Sequence, residues 1–308
     1  MESNASLALF RTRSTRAIIA DGYRLFTNSF RRLFRASWPV AVLYALAMAF
    51  MSSYAITHVI PLIGASQILD PEAAHAELVS TLVMSGITVL LFLVCATLLA
   101  SCAFSAMRQH AATGDIPRPA HWYGRLDMPV LGRLALVVVC LVVVFGLLGA
   151  MLTALCMLAA KTGLTTALVA VGVLTVGCIV LLIPFCYTVY RAMMAPKPSL
   201  PFPGYLTGIA HIGTLFVTLL LTGIVTLLLT LIAQLPANIL YAANIHSQIG
   251  TLGGDEAGMP EGMFWLSFIV FAIAGFIQAY VHLSTFFPLY YAYGSIQKNE
   301  SERNASRL

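Results

Sequence analysis

Apolar residues run along this chain in six long stretches separated by short polar ones, at about residues 38–60, 78–107, 129–160, 165–194, 212–239 and 263–293. A helix needs about 20 apolar residues to cross a bilayer. Lipid offers the backbone no hydrogen-bond partner, so continuous runs of this length predict α-helices. Short connections pair them into three hairpins. The third run exceeds the hydrocarbon thickness, which predicts tilt or projection. Residues 18–37 follow a different pattern. Ile19, Tyr23, Phe26, Phe30, Leu33 and Phe34 recur at three- and four-residue spacing, while Arg24, Arg31, Arg32 and Arg35 occupy much of the remaining surface. An apolar stripe beside a basic face predicts an amphipathic helix lying on the membrane surface. The expected layout is a polar tail (1–17), an amphipathic interfacial helix (18–37), a six-helix transmembrane domain (38–294) and a second polar tail (295–308).

Composition sharpens this into an all-α integral membrane protein. Hydrophobic residues make up 59% of the 308 residues, charged residues 9%, and mean hydropathy is +0.88. Soluble domains carry roughly 25% charge, so an ordinary soluble enzyme is excluded, as is a disordered chain, which needs high charge and low hydrophobicity. The six cysteines all fall in apolar runs and form no CxxC pair, which predicts packing residues. No secretory leader pattern opens the chain, so the first span is expected to direct insertion.

The charges are distributed unevenly about the six spans. Of the 17 Lys and Arg residues, all but Lys161 fall in the two tails, in the connections after spans two and four, or at the adjoining span ends. The opposite loops collect Asp70, Glu72, Glu77, Asp255, Glu256 and Glu261. Positive residues stay in the cytoplasm, so both termini are predicted there. The sequons at Asn4, Asn299 and Asn304 fall in those tails, away from glycosylation machinery.

The hairpins carry related punctuation. Gly22-Tyr23-Arg24-Leu25, Tyr123-Gly124-Arg125-Leu126 and Gly204-Tyr205-Leu206 precede the odd spans. Pro184-Phe185-Cys186-Tyr187 resembles Pro288-Leu289-Tyr290-Tyr291 near the ends of spans four and six, with Cys102-Ala103-Phe104 at the matching place in span two. A threefold internal repeat would produce this pattern. So would the general abundance of Gly and Tyr at helix ends, and both readings remain open.

Candidate chemistry is sparse. No Asp, Glu, Lys or Arg lies deep in a span, although proton-coupled carriers usually place ionisable groups there. The neutral polar residues that remain are Gln234 and Asn238 in span five and Gln278 and His282 in span six. Each pair has i, i+4 spacing and shares a helix face. Unpaired amides are costly in hydrocarbon, so both faces are expected to point inward, either as a polar site or as interhelical hydrogen bonds. No HExxH, GxSxG, Walker loop or GxGxxG occurs, and Ser101, Thr153 and Ser284 read as packing hydroxyls. Catalytic residues, metal ligands and cofactors are not expected, nor is nucleic-acid binding. The proline-rich connectors 116–119 and 196–203 read as stiff spacers between hairpins.

The leader Gly22-Tyr23-Arg24-Leu25-Phe26 through Ser37-Trp38-Pro39, followed by six spans without catalytic motifs, resembles a broad family of small bacterial inner-membrane proteins. These are related to the membrane domain found beside some glycerophosphodiester phosphodiesterases. The attached phosphodiesterase domain is missing, so that activity does not carry over. The resemblance implies a bacterial inner membrane and envelope- or lipid-related work.

Two functions stay open. One is a non-enzymatic scaffold or accessory subunit that binds membrane lipids, anionic ones through Arg24, Arg31, Arg32 and Arg35, and a membrane-protein partner or a second copy. The other is a transporter or lipid flippase built on Gln234, Asn238, Gln278 and His282. An intramembrane enzyme ranks behind both.

Overall fold

A computed structural model describes residues 9–59, 71–116, 127–162, 164–195, 204–252 and 262–306. Among them there is no strand. The helices are α1 (Thr15–Tyr54), which passes into a π-helical turn (Ala55–Val59), α2 (Pro71–Thr113), α3 (Met128–Thr162), α4 (Leu164–Met194), the short α5 (Tyr205–Ala210), α6 (Ile212–Leu252) and α7 (Met263–Ala305). All but α5 are long and apolar enough to cross a membrane, six in total among the described residues. The connectors 117–119 and 196–203, the segment 123–126 and residues Asp70, Asp255, Glu256 and Glu261 lie outside the described residues.

The helices are longer than the apolar runs. At 1.5 Å per residue, one of 40 residues measures about 60 Å, twice the hydrocarbon thickness of about 30 Å. α1 runs without a break through 37/38, the junction expected between a surface helix and the first span. Pro39 sits inside the helix and forgoes one backbone bond without ending it. The boundary at 294/295 is likewise internal to α7, which continues to Ala305. Hydropathy marks where lipid-facing residues stop. Helix ends depend instead on backbone bonding and packing, which continue past that point.

Each long helix confines its exposed large apolar side chains mainly to one stretch. On α3 these include Val139, Val143 and Leu147, and on α4 Val173, Val176 and Leu181. Such density suits a hydrocarbon surround and is consistent with a multi-pass membrane protein.

The chain divides into two compact units. The first comprises Met1–Leu33, Ser101–Gly223 and Thr285–Leu308. Its core is aromatic, with Phe104 against Tyr190 (5.1 Å between ring centres) and Phe286 (5.4 Å), and Phe26 against Phe287 (5.4 Å). The early part of α1 buries Ile18, Gly22, Leu25, Ser29 and Leu33. This face is rotated by about one residue from the predicted stripe, with Leu33 common to both. The reason lies at Gly22, where an added Cβ would sit 2.6 Å from the backbone of Pro288. Hydropathy scores Gly22 and Ser29 as neutral, yet their small size lets α1 approach α7 closely. Gly294 repeats the device: a Cβ there would lie 2.5 Å from the Leu9 carbonyl oxygen. Residues from Leu9 onward are therefore part of the packed structure, within the segment 1–17 that reads as a polar tail in the sequence.

A second glycine-on-proline contact occurs in this unit, where a Cβ on Gly208 of α5 would lie 2.8 Å from the Pro184 carbonyl oxygen. Pro184 and Pro288 are the two prolines matched in the sequence pattern. In each case, a segment preceding an odd span rests on the proline of an even span.

The second unit comprises Phe34–Ala100 and Ile224–Ser284. Ala41, Ala45 and Ala49 form a small-residue face on α1, and Gly275 of α7 lies against it, its added Cβ 3.2 Å from the Ala45 Cα. Ala49, Ile56, Ala237, Phe271 and Ala274 form one buried cluster. Side-chain bonds from Gln278 to Thr230 and from Asn244 to Ser267 tie α6 and α7 together as antiparallel neighbours.

Gly22→Ala should lower the thermal midpoint in detergent, because overpacking costs about 1–3 kcal/mol. Gly86→Ala, at a helical position with open space around it, should leave the midpoint unchanged or raise it. Equal behaviour of the two variants would remove Gly22 from the role assigned to it.

Candidate functional site

The second unit brings one of the two predicted polar pairs together. On α7, the Gln278 amide nitrogen lies 2.7 Å from His282 Nε2 and donates to Thr230 Oγ1 of α6 at 3.0 Å. His282 Nδ1 lies 3.2 Å from the Tyr44 hydroxyl of α1. With the amide as donor, Nε2 of a neutral imidazole accepts, and its proton sits on Nδ1 facing the phenol oxygen. A phenol and an amide orient the ring but supply it no charge. The Gln278 carbonyl oxygen is buried with no hydrogen-bond partner among the described residues, as is the Gln234 amide nitrogen. Each such orphan costs about 1–3 kcal/mol.

The other predicted pair separates. Gln234 is buried but Asn238 is exposed, so they do not form one inward polar face. The polar partners of α7 on α6 are instead Thr230 and Asn244, the latter donating to Ser267 Oγ at 3.2 Å. Gln248 donates to the Ile56 carbonyl at 2.8 Å, satisfying a backbone oxygen in the π-helical turn. These groups serve interhelical bonding, which i, i+4 spacing on a single helix cannot reveal.

A second cluster, in the first unit, was not legible in the sequence. Arg13 is almost wholly buried, its side chain 3% exposed. Its Nε donates to Asp21 at 2.9 Å and its Nη1 to the Leu9 carbonyl at 2.9 Å. The guanidinium stacks 4.6 Å over the Tyr291 ring, and the Arg13 backbone nitrogen donates to Ser295 Oγ. Nearby on α7, the Tyr290 hydroxyl donates to the Met107 carbonyl and lies 3.0 Å from His110 Nδ1. Tyr187 donates to Gln297, and Tyr190 to the Phe286 carbonyl. The only available signal was the density of tyrosines near the ends of the even spans.

The four predicted head-group arginines meet different fates. Arg24, Arg31 and Arg35 are exposed along α1. Arg32 is engaged within the protein: its Nη1 donates to both Asp115 oxygens at 2.7 and 2.8 Å and to the Ile116 carbonyl. This bidentate contact holds the Asp115 carboxyl below the usual carboxylate range. Arg11 and Arg16 are also exposed and extend the cationic surface toward the N-terminus.

Among the described residues, no three His, Cys, Asp or Glu side chains come together as metal ligands. Comparison with family models, curated proteins and solved structures finds no match to this chain.

Two predictions follow the charged groups. Arg13→Met leaves Asp21 without its partner and should destabilise the protein by about 3–5 kcal/mol. Adding Asp21→Asn should recover part of the loss, and two independent, additive losses in unfolding assays would contradict the pairing. For the exposed Arg32–Asp115 pair, a double-mutant cycle with Arg32→Gln and Asp115→Asn should give a coupling of about 0.2–1 kcal/mol. A depressed carboxyl pKa stabilises above the unfolded value of about 3.9. The coupling should therefore be full at neutral pH and vanish as pH falls through the lowered folded value. A coupling that grows with acidification would contradict this.

Proposed function

We propose that the protein is a non-enzymatic scaffold or accessory subunit of a bacterial inner membrane that binds anionic lipid head groups and an envelope partner. The observation that carries this reading is the early part of α1, with one face locked onto α7 and Arg24 and Arg31 exposed on another, two turns apart. Docking on protein fixes the helix, so its cations stand in place before a ligand arrives. Each arginine near an anionic surface is worth about 1 kcal/mol. The one-sided distribution of Lys and Arg supports a cytoplasmic location for both termini.

A second reading has its own support. The buried, unpartnered Gln278 oxygen and Gln234 nitrogen would suit a transporter or flippase that hydrogen-bonds a neutral polar group at membrane depth. It ranks below the first because the rest of the Gln278–His282–Tyr44 network is already bonded internally.

The deciding measurement is mass spectrometry of lipids and proteins retained from native membranes in mild detergent. The wild type should retain anionic lipid and a stoichiometric partner. Arg24→Gln with Arg31→Gln should weaken anionic-lipid binding at the α1 surface roughly tenfold or more, at about 1 kcal/mol per arginine. Unchanged retention of both would rule out the scaffold reading. Gln278→Leu with Gln234→Leu, tested for movement of head-group-labelled lipid in vesicles, addresses the second, and unaltered movement would exclude it.

A further inference from the structure

An apolar groove of about 280 Å³ opens between α3 and α4 in the first unit. Cys140, Val144 and Leu148 line it from α3, Cys178 and Phe185 from α4, and Tyr205 from the start of α5. The Tyr205 hydroxyl donates to the Leu181 carbonyl at 2.8 Å, which holds the ring against α4. The neighbouring residue, Gly204, has φ +98° and lies under the Arg191 side chain; an added Cβ would sit 2.5 Å from Nη1 and 3.0 Å from Cδ. Arg191 is exposed, and its guanidinium has neither an ion pair nor a hydrogen bond among the described residues. It lies about 9 Å beyond Phe185 along α4 at 1.5 Å per residue. Arg133, the neighbouring cation of α3, is spent on the carbonyls of Ala192 and Ala195 at the C-terminal end of α4.

We propose that this groove holds one acyl chain of an anionic phospholipid, with its phosphate on Arg191. The site is separate from the α1 arginines. Charge complementarity selects the occupant: the groove walls take a hydrocarbon chain, and an available guanidinium stands just past the end marked by Tyr205. A guanidinium matches phosphate in geometry and charge. The second cavity on α4, about 410 Å³ and lined by Val176, Val180, Ile183, Ile212, Gly213 and Phe216, is wholly apolar and has no charge with which to select a head group. It serves as the internal contrast. Gly204 is required because any side chain there would displace the guanidinium.

The test uses the full chain in detergent, equilibrated with equimolar phosphatidylglycerol and phosphatidylcholine and analysed by native mass spectrometry. Besides any lipid lost on substituting Arg24 and Arg31, the wild type should carry one tightly held lipid, predominantly phosphatidylglycerol. Arg191→Gln should reduce the preference about fivefold, the fold-change of one head-group contact of about 1 kcal/mol. Arg191→Lys should retain most of it. Cys178→Phe, which fills the groove and leaves the cation, should lose the bound lipid of either kind, with the thermal midpoint confirming that the variant is folded. Arg24→Gln with Arg31→Gln should leave this lipid in place, which separates the groove from the α1 surface. Full preference in Arg191→Gln, or an undiminished bound lipid in folded Cys178→Phe, would overturn the proposal.

Discussion

Burying the Arg13 guanidinium forces much of the first unit's organisation. A desolvated cation costs several kcal/mol unless its donors are met. Meeting them requires a carboxylate, carbonyl oxygens and an aromatic face in one place. Asp21, Leu9, Arg11 and Tyr291 supply these. The ligands come from before α1, from α1 itself and from α7. The approach of α1 to α7 at Gly22 and Pro288 is what brings them within reach. Neither half works without the other: a larger residue at Gly22 would move the helices apart, and a missing Arg13 would leave Asp21, 18% exposed, without its cation.

This division of labour separates the polar groups of the protein into two kinds. Within the first unit, charge and phenol hydroxyls tie segments distant in sequence to the end of α7. Within the second, neutral side chains bond helix to helix at α1, α6 and α7. Hydrocarbon surroundings offer no competing partner, so even modest bonds set register there. The tyrosines combine an apolar body with one polar tip. The ring fills the core while its hydroxyl reaches a carbonyl or amide.

Six long apolar helices were legible in the sequence because lipid imposes a direct requirement on composition. Helix ends were not, since α1 continues past Trp38 and α7 past Gly294 under packing rather than hydropathy. The buried face of the leader was missed by about one residue. Scales score what a side chain contributes, and here the decisive contribution was the absence of one, at Gly22. The Gln278–His282 pair was found because both residues lie on one helix turn. Their partners Thr230 and Tyr44 come from other helices, information that spacing along α7 does not contain. Arg13 looked like one more cytoplasmic cation, and only the fold distinguishes it from Arg11 and Arg16.

The glycine-on-proline contacts have an order. Gly208 rests on Pro184, which is already made when α5 is synthesised, but Gly22 rests on Pro288, near the far end of the chain. The Arg13–Ser295 hydrogen bond spans 282 residues. At ribosomal rates of about 5–20 residues per second, those partners are separated by roughly 15–60 s of translation. Throughout that interval the N-terminal segment of α1 must persist with its docking face uncovered. The α1–α7 contacts at Gly22 and Arg13 therefore form only once the end of the chain is made, and an insertion chaperone would meet this chain at that uncovered face.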